Sequence, residues 1–282
     1  MAGKLALVTG CSTGVGLHTA IRLAEAGYTV VATMRDPGKQ QALLDEAAKA
    51  GVSVEVAPLD VCSQASIDNA VADVIARHGR IDVLVNNAGA GFLGSVEQTS
   101  DEDLRRTMET NFFGVWNVTK AVLPHMRGAG SGRVISVTSV GGLLGQPFNE
   151  AYCAAKFAVE GMMEGLAPLA RQFGVQVCLV EPGPINTEFV ASVRATSQAS
   201  IAAMTEPYGT LAGRYMGATG DVFATYGQTG DDIAKIIAAL AVAENPDFRT
   251  ITSDFAKAMV SSKVVDQSGN SVIEIFANRL KG

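Results

Sequence analysis

The apolar run Leu5 to Val8 passes directly into Thr9-Gly10-Cys11-Ser12-Thr13-Gly14-Val15-Gly16 and then into the amphipathic pattern Leu17, Ile21, Leu23, Ala24. This reads as strand, glycine turn, helix. Gly10, Gly14 and Gly16 would let the backbone approach a pyrophosphate at the helix N-terminus, where unsatisfied N–H groups attract anions. A tight turn without a ligand is the plainer reading of the glycines alone. Apolar strands then alternate with helical patterns, at Thr29 to Met34, Val52 to Leu59, Ile81 to Val85, Arg133 to Val137, Gln176 to Val180 and Phe248 to Thr252. The alternation predicts an α/β, Rossmann-like doubly wound parallel sheet with helices on both faces, its binding crevice at the carboxyl ends of the strands.

A chain of 282 residues, 48% hydrophobic, can bury a large core, and one domain is expected. With 22 basic against 28 acidic residues the net charge is −6, and the basic residues are scattered. That leaves no electrostatic footprint for nucleic acid or an anionic membrane. Cys11, Cys62, Cys153 and Cys178 show neither metal-site spacing nor the density of a disulfide framework, so no metal is expected. The chain enters its first strand at Lys4 without a charged-then-apolar leader, and the longest apolar helical run, Ile236 to Ala243, is too short to span a bilayer. A cytoplasmic protein is expected.

The chemistry concentrates in Ser136 to Gly161, SVTSVGGLLGQPFNEAYCAAKFAVEG. Tyr152 and Lys156 are four apart in an apolar helical pattern and share one face. Ser139 ends the preceding strand, and Gly141, Gly142, Gly145 and Pro147 let the loop fold back so that Ser139 returns to Tyr152. Hydride transfer to or from a carbonyl asks for such a trio, because a proton must reach the oxygen as the hydride reaches the carbon. A free phenol titrates near about 10, and a neighbouring ammonium lowers it. The Ser139 hydroxyl would hold the substrate oxygen. A snorkelling helix face is the bland alternative for a Tyr and a Lys at this spacing.

Ser139, Tyr152 thirteen residues on and Lys156 four further resemble the active site of the short-chain dehydrogenase/reductase family. The run SVGGLLGQPFNEAYCAAKFAVEG is similar, nearly residue for residue, to its 17β-hydroxysteroid and retinol dehydrogenase branch, and Gln146 departs from it where an apolar residue is expected. Asn111, inside a long helix read over Leu104 to Met126, has a plain reading, hydrogen bonding to backbone; the resemblance implies instead that it is the fourth catalytic residue, holding a water that links Lys156 to solvent. It implies cofactor contacts from the loop Gly10, Ser12, Thr13, Gly14, Val15 and Gly16, and from Tyr152 and Lys156. Asp60 and Val61 would lie at the adenine, and Pro182, Gly183, Ile185 and Thr187 over the nicotinamide. Asn86-Asn87-Ala88-Gly89 resembles the signature at the ribose end, where bracing of the sheet and direct contact by Asn87, Ala88 and Gly89 both remain open. Candidate substrate contacts are Val140, Gln146, Asn149 and Phe189.

Two features after the second strand compete over the cofactor. Asp36 falls about 20 residues after the glycines, where an acid would favour NAD(H), but it precedes Pro37 and reads better as an N-cap. By the resemblance, Met34 occupies the acidic position of NAD-preferring members and Arg35 the basic position of NADP-preferring ones. Arg35 could pair with a 2′-phosphate, helped by Ser12, so NADP(H) is favoured over NAD(H).

Residues 1–187 thus read as a cofactor-binding and catalytic core. Glu188 to Gly230 read as short, glycine-broken helical pieces of a substrate lid, and 231–282 as the completion of the sheet with surface helices. The expected activity interconverts a secondary alcohol and a ketone on a small hydrophobic substrate, most readily a 17β-hydroxysteroid, with non-steroid carbonyls or retinol-like alcohols as the alternative. A non-enzymatic nucleotide-binding module need not keep Asn111, Ser139, Tyr152 and Lys156 together, and a sugar-nucleotide epimerase or dehydratase fits the glycine spacing poorly. The resemblance also implies a homodimer or homotetramer, paired through the helices that carry Asn111 and Tyr152.

Overall fold

The computed structural model describes residues 3–186, 204–265 and 278. The elements run β1 (Leu5–Thr9), α1 (Gly14–Glu25), β2 (Thr29–Met34), α2 (Gln41–Ala50), β3 (Glu55–Pro58), α3 (Gln64–His78) and β4 (Val83–Asn86). Then come α4 (Asp101–Met108), a π-helical turn (Glu109–Phe113), α5 (Gly114–Ala129), β5 (Gly132–Val137), α6 (Glu150–Arg171) and β6 (Val175–Glu181). The described chain ends with β7 (Ile185–Asn186), α7 (Tyr208–Tyr226), β8 (Gln228–Thr229), α8 (Gly230–Val242), β9 (Arg249–Ile251) and α9 (Asp254–Val265).

Seven strands form one parallel sheet in the order β3-β2-β1-β4-β5-β6-β9, and β7 and β8 make a separate parallel pair. Strand residues alternate between two cores. Leu5, Leu7, Leu84, Val134 and Leu179 face α3, α5 and α6. Ala6, Val8, Val85, Ile135 and Val180 face α1 and α8. Because both faces are covered, the strands are apolar throughout, as the doubly wound reading requires. The order reverses between β1 and β4, which opens the crevice at their carboxyl ends. Arg22 of α1 holds Asp231 at the start of α8 through two hydrogen bonds of 2.6 and 2.7 Å, tying together the two helices nearest the glycine turn. No described helix is long and apolar enough to cross a membrane.

Three expectations change. The third strand begins at Glu55 rather than Val52, because Gly51, at φ 70°, caps α2 and sends the Val52 N–H back to the Ala47 carbonyl. The long helix around Asn111 is interrupted by its π-helical turn. Between Tyr208 and Tyr226 the expected short pieces are one continuous helix. Its glycines cost about 1 kcal/mol each against alanine, but Ala212 and Tyr215 anchor it on Phe148. The rest of the expected lid up to Ile201 and on to Ala203, including Phe189, lies outside the described residues, as does Thr187.

Candidate active site

At the first crevice wall, β1 ends in Thr9 and the chain turns through Gly10 into α1. A Cβ on Gly16 would collide with the Gly10 carbonyl and the Asn87 side-chain amide, so only glycine lets the helix start here. Thr13 stands at the N-cap with extended backbone, makes no side-chain cap, and no acid occupies the first turn of α1. Those N–H groups are therefore available to an anion, which fits a dinucleotide pyrophosphate. Ser12 is half-buried and Thr13 exposed in this turn, while Val15 packs into the core beneath it.

The Asn pair braces the crevice. Asn87 Nδ2 donates to the carbonyls of Thr9 and Gly10 at 2.9 and 3.0 Å, and Thr9 Oγ1 accepts from the N–H groups of Asn87 and Ala88. Asn86 Nδ2 donates to Thr119 Oγ1 and Ser136 Oγ. Of the two readings of the Asn signature, bracing is the one these bonds express for Asn87 itself. Thr9 was not anticipated, since a lone threonine at a strand end carries no signal in the sequence.

Asn111 is fully buried in the π-helical turn. Its Nδ2 donates to Ala90 O at 2.8 Å and Thr107 O at 3.0 Å, and its Oδ1 accepts from Ala90 N at 3.1 Å. A Cβ on Gly89 would lie 2.9 Å from Asn111 Oδ1 and 3.7 Å from Lys156 Nζ. Gly89 thus brings the two polar groups to one point beside the β4 end.

Lys156 is buried, and its Nζ donates to Val137 O at 3.1 Å and stands 5.7 Å from the centroid of the Tyr152 ring. Desolvation pulls its ammonium down to about 8, opposed by the charge of Glu160. Ser139 caps the short turn Val140–Gly142: its Oγ accepts from Gly141 N at 3.0 Å, and a Cβ on Gly141 would lie 3.4 Å from both Ser139 Oγ and the Tyr152 ring. The loop therefore does return Ser139 to Tyr152. One expectation is corrected. Burial pushes the Tyr152 phenol up to about 12, with the neighbouring Ser139 hydroxyl working against it, so the ammonium does not dominate as anticipated.

The other candidates are spread around this centre. Arg35 and Asp36 are exposed beyond β2, and Asp36 accepts from Gly38 N at 3.0 Å as the N-cap it was read to be. Asp60 is half-buried and accepts from Cys62 N, while Val61 is buried against Gly114. Pro182 O accepts from Val140 N at 2.9 Å, Gly183 sits against Ala256, and Ile185 is half-buried in β7. Val140 is buried with Leu144, Ala256 and Val260. Gln146 is half-buried, and Asn149 Nδ2 donates to Pro147 O. Between them Phe148 adopts a left-handed φ of 60° and packs on α7.

A chain with this strand order, an uncapped glycine turn at its switch point and Ser139, Tyr152 and Lys156 in one cluster belongs to the class of doubly wound nucleotide-dependent oxidoreductases. The short chain dehydrogenase family profile matches residues 4–198, and the chain belongs to that family. It is 39% identical over 276 residues to bovine retinol dehydrogenase 8, covering 95% of this chain and 88% of the relative. It is 36% identical over 289 residues to human 17-beta-hydroxysteroid dehydrogenase type 1, covering 100% and 87%. Among solved structures, a short-chain dehydrogenase from Streptomyces avermitilis superposes with a TM-score of 0.80 at 31% identity, covering 99% of this chain and 98% of that one.

Proposed function

We propose that this chain is an NADP(H)-linked oxidoreductase interconverting a secondary alcohol and a ketone on a hydrophobic substrate, best a 17β-hydroxysteroid of the estradiol/estrone type. The carrying observation is the meeting of Lys156 and Asn111 at Gly89, with Tyr152 one helical turn from Lys156 and Ser139 beside it at Gly141. A nicotinamide cofactor held there would supply or accept the hydride. Tyr152 exchanges a proton with the substrate oxygen, Ser139 orients that oxygen, Lys156 tunes the phenol and grips the ribose, and Asn111 supports the proton relay.

NADP(H) is supported by Arg35, exposed just past buried Met34 at the end of β2, whose guanidinium would pair with a 2′-phosphate, helped by Ser12 in the glycine turn. The similarity to human 17-beta-hydroxysteroid dehydrogenase type 1 over the whole chain supports the steroid. A retinol-like alcohol is the second reading, supported by the similarity to bovine retinol dehydrogenase 8 and by polar Gln146 at the loop. The protein works in the cytoplasm as a homodimer or homotetramer.

Cofactor turnover by the purified protein with estradiol, testosterone, retinol and small aliphatic alcohols, each with NADP and with NAD, tests the reading, using Tyr152→Phe as the blank. Selective NADP-linked steroid oxidation is expected. Turnover of retinol or aliphatic alcohols alone discards the steroid, and activity retained in Tyr152→Phe discards the mechanism.

A further inference from the structure

One helical turn beyond Lys156, Glu160 enters a buried cluster assembled from four elements. Thr138, next to Ser139, donates through Oγ1 to Glu160 Oε1 at 2.6 Å. Arg249 of β9 reaches Glu160 Oε2 through Nη2 at 2.9 Å and Glu181 Oε1 through Nε at 2.5 Å. Glu181 is the last residue of β6, directly before Pro182 and Gly183, and is fully buried, while Glu160 is 5% exposed.

The hydrogen bonds are incomplete as long as both carboxyls are ionised. Among the described residues the buried Glu181 Oε2 meets no donor, and the single Arg249 guanidinium gathers the Glu160 and Glu181 carboxyls onto its Nη2 and Nε. Two carboxylates are acceptors only, and an unmet buried acceptor is costly. A single proton between them satisfies the contact and leaves the pair, with Arg249, electrically neutral.

We propose that Glu160 and Glu181 share one proton beneath the catalytic helix and, with Thr138 and Arg249, are positioning residues that hold the Ser139 loop, the Lys156 turn and the Pro182–Gly183 loop in register. Loss of that proton leaves two buried carboxylates facing each other and loosens all three at alkaline pH. The proposal rests on the oxidoreductase reading of the site. It places none of the four in contact with substrate.

The charged groups around Glu181 agree. Burial and the charge of Glu160 raise its pKa far above the usual carboxylate range, and Arg249 works against them. From α6 the cluster also meets Lys156, which the Glu160 charge raises, and Glu164, 69% exposed and 3.5 Å from Arg249. Because the folded state keeps a proton that the unfolded chain releases, this pair makes stability fall as pH rises from the ordinary glutamate range to the raised value.

Glu181→Gln tests this, since its amide donates to Glu160 in place of the proton and does not titrate. Tm and the Kd for NADPH and NADH, read by nicotinamide fluorescence, would be followed from about pH 6 to about pH 9.5 for both proteins. The wild type is expected to lose Tm and to weaken in cofactor affinity by about fivefold over this range, and the variant to do neither. Superimposable Tm curves would overturn the shared proton, and coincident Kd curves the positioning role. If the variant does not fold, infrared spectroscopy of the wild type decides. The carbonyl stretch of a protonated carboxylic acid, present at neutral pH and lost on alkalinisation, is expected, and its absence at neutral pH would overturn the proposal. These readouts need no substrate, so a failed steroid assignment leaves them interpretable.

Discussion

Phe148, held in a left-handed backbone conformation three residues before Ala151, rests its ring on Tyr215 of α7 with the centroids 5.9 Å apart. The contact joins the loop that precedes Tyr152 to α7, with Ala212 buried beside it. A non-glycine residue at this φ stores about 1 kcal/mol or more, and the packing on α7 offsets it.

Tyr215→Ala should therefore open the substrate side while sparing the cofactor. The expected result is a substrate KM raised about tenfold, with NADPH Kd within about twofold of wild type and Tm lowered by a few degrees, after a core loss of about 3 kcal/mol. Steady-state kinetics and fluorescence titration check it, and equal losses in both affinities would contradict the role given to α7.

Lys156→Met removes an ammonium that burial has pulled down to about 8. A base whose pKa is lowered on folding costs stability while it must stay protonated, and that cost fades as pH rises from the folded value toward the unfolded value near about 10.5. The variant should be inactive yet more stable than wild type by about 2 kcal/mol at neutral pH, the lost bond to Val137 O included. The gain should shrink through the alkaline range in paired denaturation curves, and a variant less stable at neutral pH would contradict it.

Arg35→Ala should separate the two cofactors. With the exposed guanidinium gone, the KM for NADP should rise by about ten- to a hundredfold and that for NAD by less than about twofold. Equal effects on both would remove Arg35 from cofactor choice.

We propose that the exposed aromatic stripe of the Asn111 helix is a subunit interface. Phe113 is 44% and Trp116 47% exposed, and Leu169 at the end of α6 is 64% exposed. Trp116→Glu should shift the protein toward monomer in light scattering, with the Tm becoming independent of protein concentration. An unchanged mass would remove this face as the interface.

The strand–turn–helix at Leu5 to Leu17, the alternation behind it and the Ser139, Tyr152, Lys156 spacing were legible because each depends on neighbours a few residues away. Periodicity, glycine placement and helical i, i+4 geometry are local properties. Asp36 as an N-cap was legible for the same reason.

Tertiary structure decided what depends on distant partners. The π-helical turn at Asn111 is matched to both backbone groups of Ala90, and the continuity of α7 across its glycines depends on Phe148. Burial, which no local pattern measures, set the phenol of Tyr152 high against the expectation drawn from Lys156 alone. The Glu160, Glu181 and Arg249 cluster had one faint trace in the sequence, an acid four residues after Lys156 on an apolar helix face. Its partners lie 21 and 89 positions further along the chain, and only the folding of β6 and β9 side by side brings them to it.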